Sequence, residues 1–113
     1  MILSKNMRKY RNIFTEYNGV TYHSRKEAEY ARELDLMLYG KQILGWDRQA
    51  VFSLDVNNKH ICNYIVDFVL TNIDGTMELV EIKGYRTPVF NIKWNLMKAL
   101  YGDRYKLTLI ERK

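Results

Sequence analysis

The sequence predicts an α/β domain, a central mixed β-sheet flanked by helices in the order hairpin-αβββαβ. Three observations carry that reading. Runs over 48–55, 61–70, 76–83 and 105–110 are apolar or alternate with the two-residue period of strands. Two segments, 24–40 and 87–102, switch to the helical period and are bracketed by capping residues. The 113 residues, 47% hydrophobic and 27% charged, suffice for one core and one domain spanning 1–113.

Composition also excludes several classes. With 6 glycines and 1 proline there is no collagen-like or Pro-rich tract. One cysteine, Cys62, rules out an internal disulfide framework and a multi-cysteine zinc site. No apolar run approaches the roughly 20 residues of a membrane span, and the start MILSKNMRKY lacks a signal-peptide apolar region. The expectation is a cytoplasmic protein that makes no membrane contact. A net charge of +5 and a pI near 9.3 favour a polyanionic partner.

Each element has its own signal. Residues 1–12 form a basic N-terminal arm with Lys5, Arg8, Lys9 and Arg11, suited to neutralising phosphates or simply solvated. Asn18-Gly19, between Ile13–Tyr17 and Val20–Tyr22, is a strong hairpin signal. Ser24 followed by Glu27 is a capping box opening a helix that runs to Tyr39 and stops at Gly40. Tyr30, Ala31, Leu34, Met37 and Leu38 share one stripe of that helix, and Glu27 lies near its middle. A connector, Lys41 to Asp47, leads to a strand over Arg48–Asp55. A polar turn over 57–60 leads to a strand over Ile61–Leu70, and a turn over 72–75 to one over Thr76–Lys83. Thr87 caps a second helix with Pro88 at its first position, ending at Tyr101 before Gly102. Tyr105–Ile110 is the last strand.

Three carboxylates are out of place. Asp67 sits between Val66 and Phe68, Glu81 lies in an apolar strand, and Glu27 is on a core-facing stripe. Buried carboxylates are costly unless paired or bound to a cation. The turn decides whether the two strand carboxylates meet. A two-residue Asp74-Gly75 loop sets Asp67 against Ile82. A three-residue loop, Ile73-Asp74-Gly75, with Gly75 left-handed, sets Asp67 against Glu81. Opposed Cβ atoms roughly 4.5–5.5 Å apart are close enough to share one Mg²⁺. The odd-length loop is expected.

Asp67 and, on the next strand, Glu81-Ile82-Lys83, after a helix bearing Glu27, resemble the core of the PD-(D/E)XK nuclease superfamily. The likeness runs from Ser24-Arg25-Lys26-Glu27-Ala28 through Gln49, Tyr64–Phe68 and Glu81–Gly84 to Thr87–Phe90. In that detail it is similar to a small, largely phage- and prophage-encoded family without assigned substrates. Holliday-junction resolvases and restriction-type endonucleases share the superfamily. Val66, not proline, precedes Asp67. Glu111-Arg112-Lys113 is also Glu-x-Lys, so strand context, not the triplet, gives the motif its weight.

The resemblance implies a restriction-endonuclease-like core and a Mg²⁺-dependent endonuclease, with Mn²⁺ able to substitute. Its substrate would be DNA, chosen by structure (junction, flap or nick), in phage or bacterial recombination, repair or packaging. Two sites are needed to cut both strands, hence a homodimer. Asp67, Glu81 and the Ile82 carbonyl would ligate the metal, with Glu27 reaching it or its waters. Lys83 would orient the attacking water or steady the transition state. Gln49, Arg86 and Lys93 would contact DNA. Each role has a plain counterpart: Glu27 as helix cap, Lys83 in an ion pair, Gln49 on a surface strand, Lys93 laying its stem along apolar surface, Arg86 in the approach to the helix cap. A non-cleaving DNA-binding module on the same fold is the competing function. His23 and His60 are too few and too distant for a histidine site, and Ser24 has no evident base.

Overall fold

The computed structural model describes residues 14–112, which fall into two compact units, one ending at Met37 and one starting at Leu38. The basic arm lies outside the described residues.

In the first unit, β1 (Thr15–Tyr17) and β2 (Val20–Tyr22) form an antiparallel hairpin. Asn18 and Gly19 both take positive φ, 51° and 80°, as the predicted two-residue turn requires. Helix α1 (Arg25–Tyr39) follows, tied back to the hairpin by a hydrogen bond from Tyr17 OH to Asp35. The Ser24 Oγ accepts the Glu27 N–H at 3.1 Å and is 3.3 Å from the Glu27 carboxylate. The cap therefore forms, with the glutamate bonding the serine hydroxyl. The buried face of α1 is Ala28, Tyr30, Ala31 and Leu34. The predicted stripe fades at its end, since Met37 is only half-buried and Leu38 and Tyr39 are exposed. Gly40 is not the left-handed stop either; Lys41 is, at φ 59°, donating its N–H to the Leu38 carbonyl.

The second unit is a four-stranded mixed sheet in the order β3-β4-β5-β6. β3 (Ile43–Val56) begins inside the predicted connector, because Ile43 is buried and pairs with Asn72 and Gly45 pairs with Thr71, a register shift between them absorbing Leu44. β4 (Lys59–Asn72) also begins earlier than predicted. Asn57 and Asn58 alone make the turn, with φ of 52° and 64°, so Lys59 and His60 are strand residues. Asparagine tolerates the left-handed region, which is why two residues suffice.

β5 (Met77–Lys83) returns through the odd-length loop. Asn72 N–H donates to the Thr76 carbonyl at 2.8 Å, Gly75 N–H to the Asn72 carbonyl at 2.9 Å, and Gly75 has φ 87°. The register Phe68↔Val80, Val69↔Leu79 follows, and counting one step on brings Asp67 to Glu81. β6 (Lys106–Glu111) runs parallel to β5, so a crossover is needed. Helix α2 (Pro88–Tyr101) supplies it. Thr87 Oγ1 caps it by accepting Phe90 N–H at 3.1 Å, and Pro88 stands in the first turn. Gly102 ends it without turning left-handed (φ −65°). Its N–H continues to the Lys98 carbonyl at 3.0 Å, and a Cβ there would come within 2.4 Å of that oxygen.

Phe90, Trp94 and Met97 of α2 pack with Leu54, Tyr64, Val66, Val69 and Leu79 of the sheet. Removing each large side chain from water contributes about 1.5–3 kcal/mol. Tyr101 locks the far end by donating its hydroxyl to the Ser53 carbonyl at 2.7 Å. That helix-on-sheet layer holds β4 and β5 in the register that the site needs.

Candidate metal centre

The site begins with a fault in β4. Val66 and Val69 pack in one core although they are three residues apart, so the strict alternation of strand side chains slips at Asp67–Phe68. On the neighbouring strand the residue opposite by count, Gln49, has φ 58°, strained for an ordinary side chain. The slip turns the Asp67 side chain toward β5. There Oδ2 accepts the Ile82 N–H at 2.9 Å, replacing a ladder bond with a side-chain one.

β5 contributes from the edge that faces β4. The Lys83 carbonyl accepts the Arg112 N–H at 3.0 Å on the β6 side. Backbone groups alternate along a strand, so the Ile82 carbonyl, like its N–H, points to the β4 side where Asp67 stands.

Glu81 is only 4% exposed, and its Oε1 is buried without a hydrogen-bond partner. Lys83 Nζ lies 3.6 Å from Oε2 and 4.6 Å above the Phe90 ring. Burial pushes the Glu81 carboxyl up to about 8, the Asp67 charge adds to it, and Lys83 opposes both without cancelling them. Tyr64, 8% exposed, has a buried hydroxyl that also makes no hydrogen bond. Its pKa is raised by burial first and then by the charge on Glu81, which places the two side chains next to each other.

The donor set is two carboxylates and a backbone carbonyl, all hard oxygen, with one oxygen left unsatisfied in a buried place. That chemistry fits a hard divalent cation such as Mg²⁺ or Mn²⁺. Among the described residues no three His, Cys, Asp or Glu side chains gather around a common point, so Asp67 and Glu81 stand as a pair.

A protein-family profile described as Protein of unknown function (DUF1064) matches residues 7–113. The chain belongs to that family. No curated protein and no solved structure matches it. The family match spans the whole of the Asp67, Glu81, Ile82, Lys83 cluster.

The other expected residues are distributed as follows. An open groove of about 350 Å³ beside the cluster is lined by Lys83, Lys93, Thr87 and Tyr64 among others, so the structure brings Lys93 to the same place as Lys83. Arg86 is held by its own chain, donating to Asn91 Oδ1 at 2.9 Å and standing 3.6 Å from Glu111. Glu27 belongs to the first unit, where it caps α1. Lys5, Arg8, Lys9 and Arg11 lie outside the described residues.

Tyr64 is the site neighbour that sequence reading missed, since a tyrosine in an apolar strand looks like ordinary core. A second cluster, Ser53, Asp55 and His60, has the composition of a triad but not its geometry. Ser53 Oγ and Asp55 Oδ1 both meet the same imidazole nitrogen, Nδ1, at 2.7 and 2.9 Å, so no proton can be relayed through the ring. All three make exposed hydrogen bonds at the β3–β4 hairpin. Among the described residues no helix is long and apolar enough to cross a membrane.

Proposed function

We propose that this chain is a Mg²⁺-dependent nuclease of the PD-(D/E)XK type, with a restriction-endonuclease-like core, that hydrolyses DNA phosphodiester bonds. The observation that carries the reading is the Asp67–Glu81 pair on adjacent strands, one carboxylate fixed by the Ile82 N–H, the other buried with an unsatisfied oxygen. Lys83 at 3.6 Å serves only Oε2, so Oε1 is the oxygen that a bound cation would satisfy. The parallel β5–α2–β6 crossover beside this pair supports the fold assignment.

Asp67, Glu81 and the Ile82 carbonyl would hold the cation. When bound, it would supply Lewis-acid polarisation of the phosphate and an acidified water. The chain's own residues do the rest. Lys83, partly exposed at the groove and facing Glu81, orients a water and offers positive charge to the phosphoryl oxygens. Lys93, on the same groove, takes a neighbouring phosphate. Cutting both strands of a duplex needs two such sites, so the reading includes a homodimer, and DNA shape would select the substrate.

The test is cleavage of an end-labelled panel (duplex, single strand, flap, four-way junction) with Mg²⁺ or Mn²⁺, beside an Asp67→Ala control. Metal-dependent cutting lost in the control is expected. A folded protein that shifts these DNAs without cutting any of them would make it a binding module instead.

A further inference from the structure

Two buried polar atoms, Tyr64 OH and Glu81 Oε1, each lack a well-formed hydrogen bond, although the two side chains are close enough for each to act on the other's protonation. The phenol has little freedom to look elsewhere. Its ring is buried against Trp94, with centroids 6.2 Å apart, and Trp94 stacks on Phe90 across 5.9 Å. Glu81 has one oxygen 3.6 Å from the Lys83 ammonium and the other without a hydrogen-bond partner. A buried donor and a buried acceptor left without full hydrogen bonds are costly in both groups, and a bound ion is one arrangement that completes them.

We propose that Tyr64 is a positioning residue for the cation, its hydroxyl donating to Glu81 when that carboxylate turns to ligate. The proposal rests on the metal-centre reading above. A carboxylate that ligates through one oxygen keeps the second for a hydrogen bond, and partners of this kind orient the ligand and raise metal affinity. Tyr64 is the donor already in place, on the strand that carries Asp67 and three residues before it. Lys83 then has less of Glu81 to neutralise and faces the groove.

The experiment is direct Mn²⁺ titration of the full chain, followed by electron paramagnetic resonance of free Mn²⁺, together with metal-free thermal melts. The Tyr64→Phe variant should bind Mn²⁺ about 10-fold or more weakly. Its metal-free melting temperature should be equal to or above the wild type's, because an unsatisfied buried hydroxyl has been removed. A merely structural tyrosine would not produce those opposite signs. Wild-type protein that binds no Mn²⁺ would overturn the metal centre itself, and this proposal with it. Wild type that binds while Tyr64→Phe binds equally well would overturn the role of Tyr64 alone. If the variant melts lower or fails to fold, the ultraviolet difference spectrum of the wild type decides. A tyrosine signal on Mg²⁺ saturation supports the hydrogen bond, and a flat spectrum overturns it.

Discussion

Glu81 occupies a place in β5 that a valine would fill at no electrostatic cost, and burial, with the Asp67 charge beside it, pushes its carboxyl up to about 8. The consequence for stability has a definite sign. The folded protein holds a proton on Glu81 that the unfolded chain releases near pH 4.5, so the folded state binds more protons across the interval from about 4.5 to about 8. The metal-free protein is therefore most stable at the acid end of that window and loses stability as pH rises through it. The loss is on the order of a few kcal/mol, since each unit is worth about 1.4 kcal/mol and the side chain is almost fully buried. Denaturant melts in a chelator at pH 5, 6.5 and 8 should show the decline, and Glu81→Gln should flatten it. A wild-type profile that is level between pH 5 and 8 would mean the carboxylate is solvated. At Gln49 and Asp67 a backbone outlier and a slipped alternation face each other across two strands, right where a side chain is turned toward β5.

At the scale of elements, the register of β4 against β5 is set by one glycine. Gly75 has φ 87° and open space around it, so a side chain there meets no neighbour and its cost is conformational alone. Gly75→Ala should destabilise by about 1–2 kcal/mol, read as a lower melting temperature. Because the turn sets Asp67 against Glu81, the variant should also gain less thermal stability from Mn²⁺ than the wild type does. A variant that loses stability yet keeps the full Mn²⁺ gain would show that α2 packing, not the turn, holds the register. Such turns were legible in the sequence, as were both helix caps and the Asp67–Glu81 opposition, because each depends on chemistry within a few residues. The starts of β3 and β4 were not. Gly45 and Asp47 look like breakers, and only pairing with Asn72, far along the chain, makes Ile43 a strand residue. The slip at Asp67 and the place of Tyr64 were hidden for the same reason. Both are fixed by what α2 packs against, which local pattern does not contain.

For the molecule as a whole, the net charge of +5 favours a polyanionic partner, and two of its lysines meet at one place. Lys83 and Lys93 share one groove beside Asp67 and Glu81, and on the proposed nuclease reading the carboxylate charge there would repel phosphate until a cation offset it. Binding of duplex DNA should therefore strengthen on adding Mg²⁺ or Ca²⁺ and weaken steeply with monovalent salt. Each neutralised phosphate contributes a slope of about −0.9 in the logarithm of affinity against the logarithm of salt. Lys93 is half-buried at the groove, and its replacement by alanine would remove one proposed phosphate contact without touching the carboxylates. Lys93→Ala should lower affinity by a similar factor for every DNA sequence and reduce the magnitude of the salt slope by about 0.9. Fluorescence anisotropy over a salt series, in Ca²⁺ so that cutting does not interfere, measures both quantities. A slope equal to the wild type's would take Lys93 off the phosphate track and leave its lysine as a stem lying along apolar surface. A reduced slope with sequence-independent loss would place the DNA backbone along the α2 side of the site. Lys83 would then be the next cation on that path, at the point where the carboxylates begin.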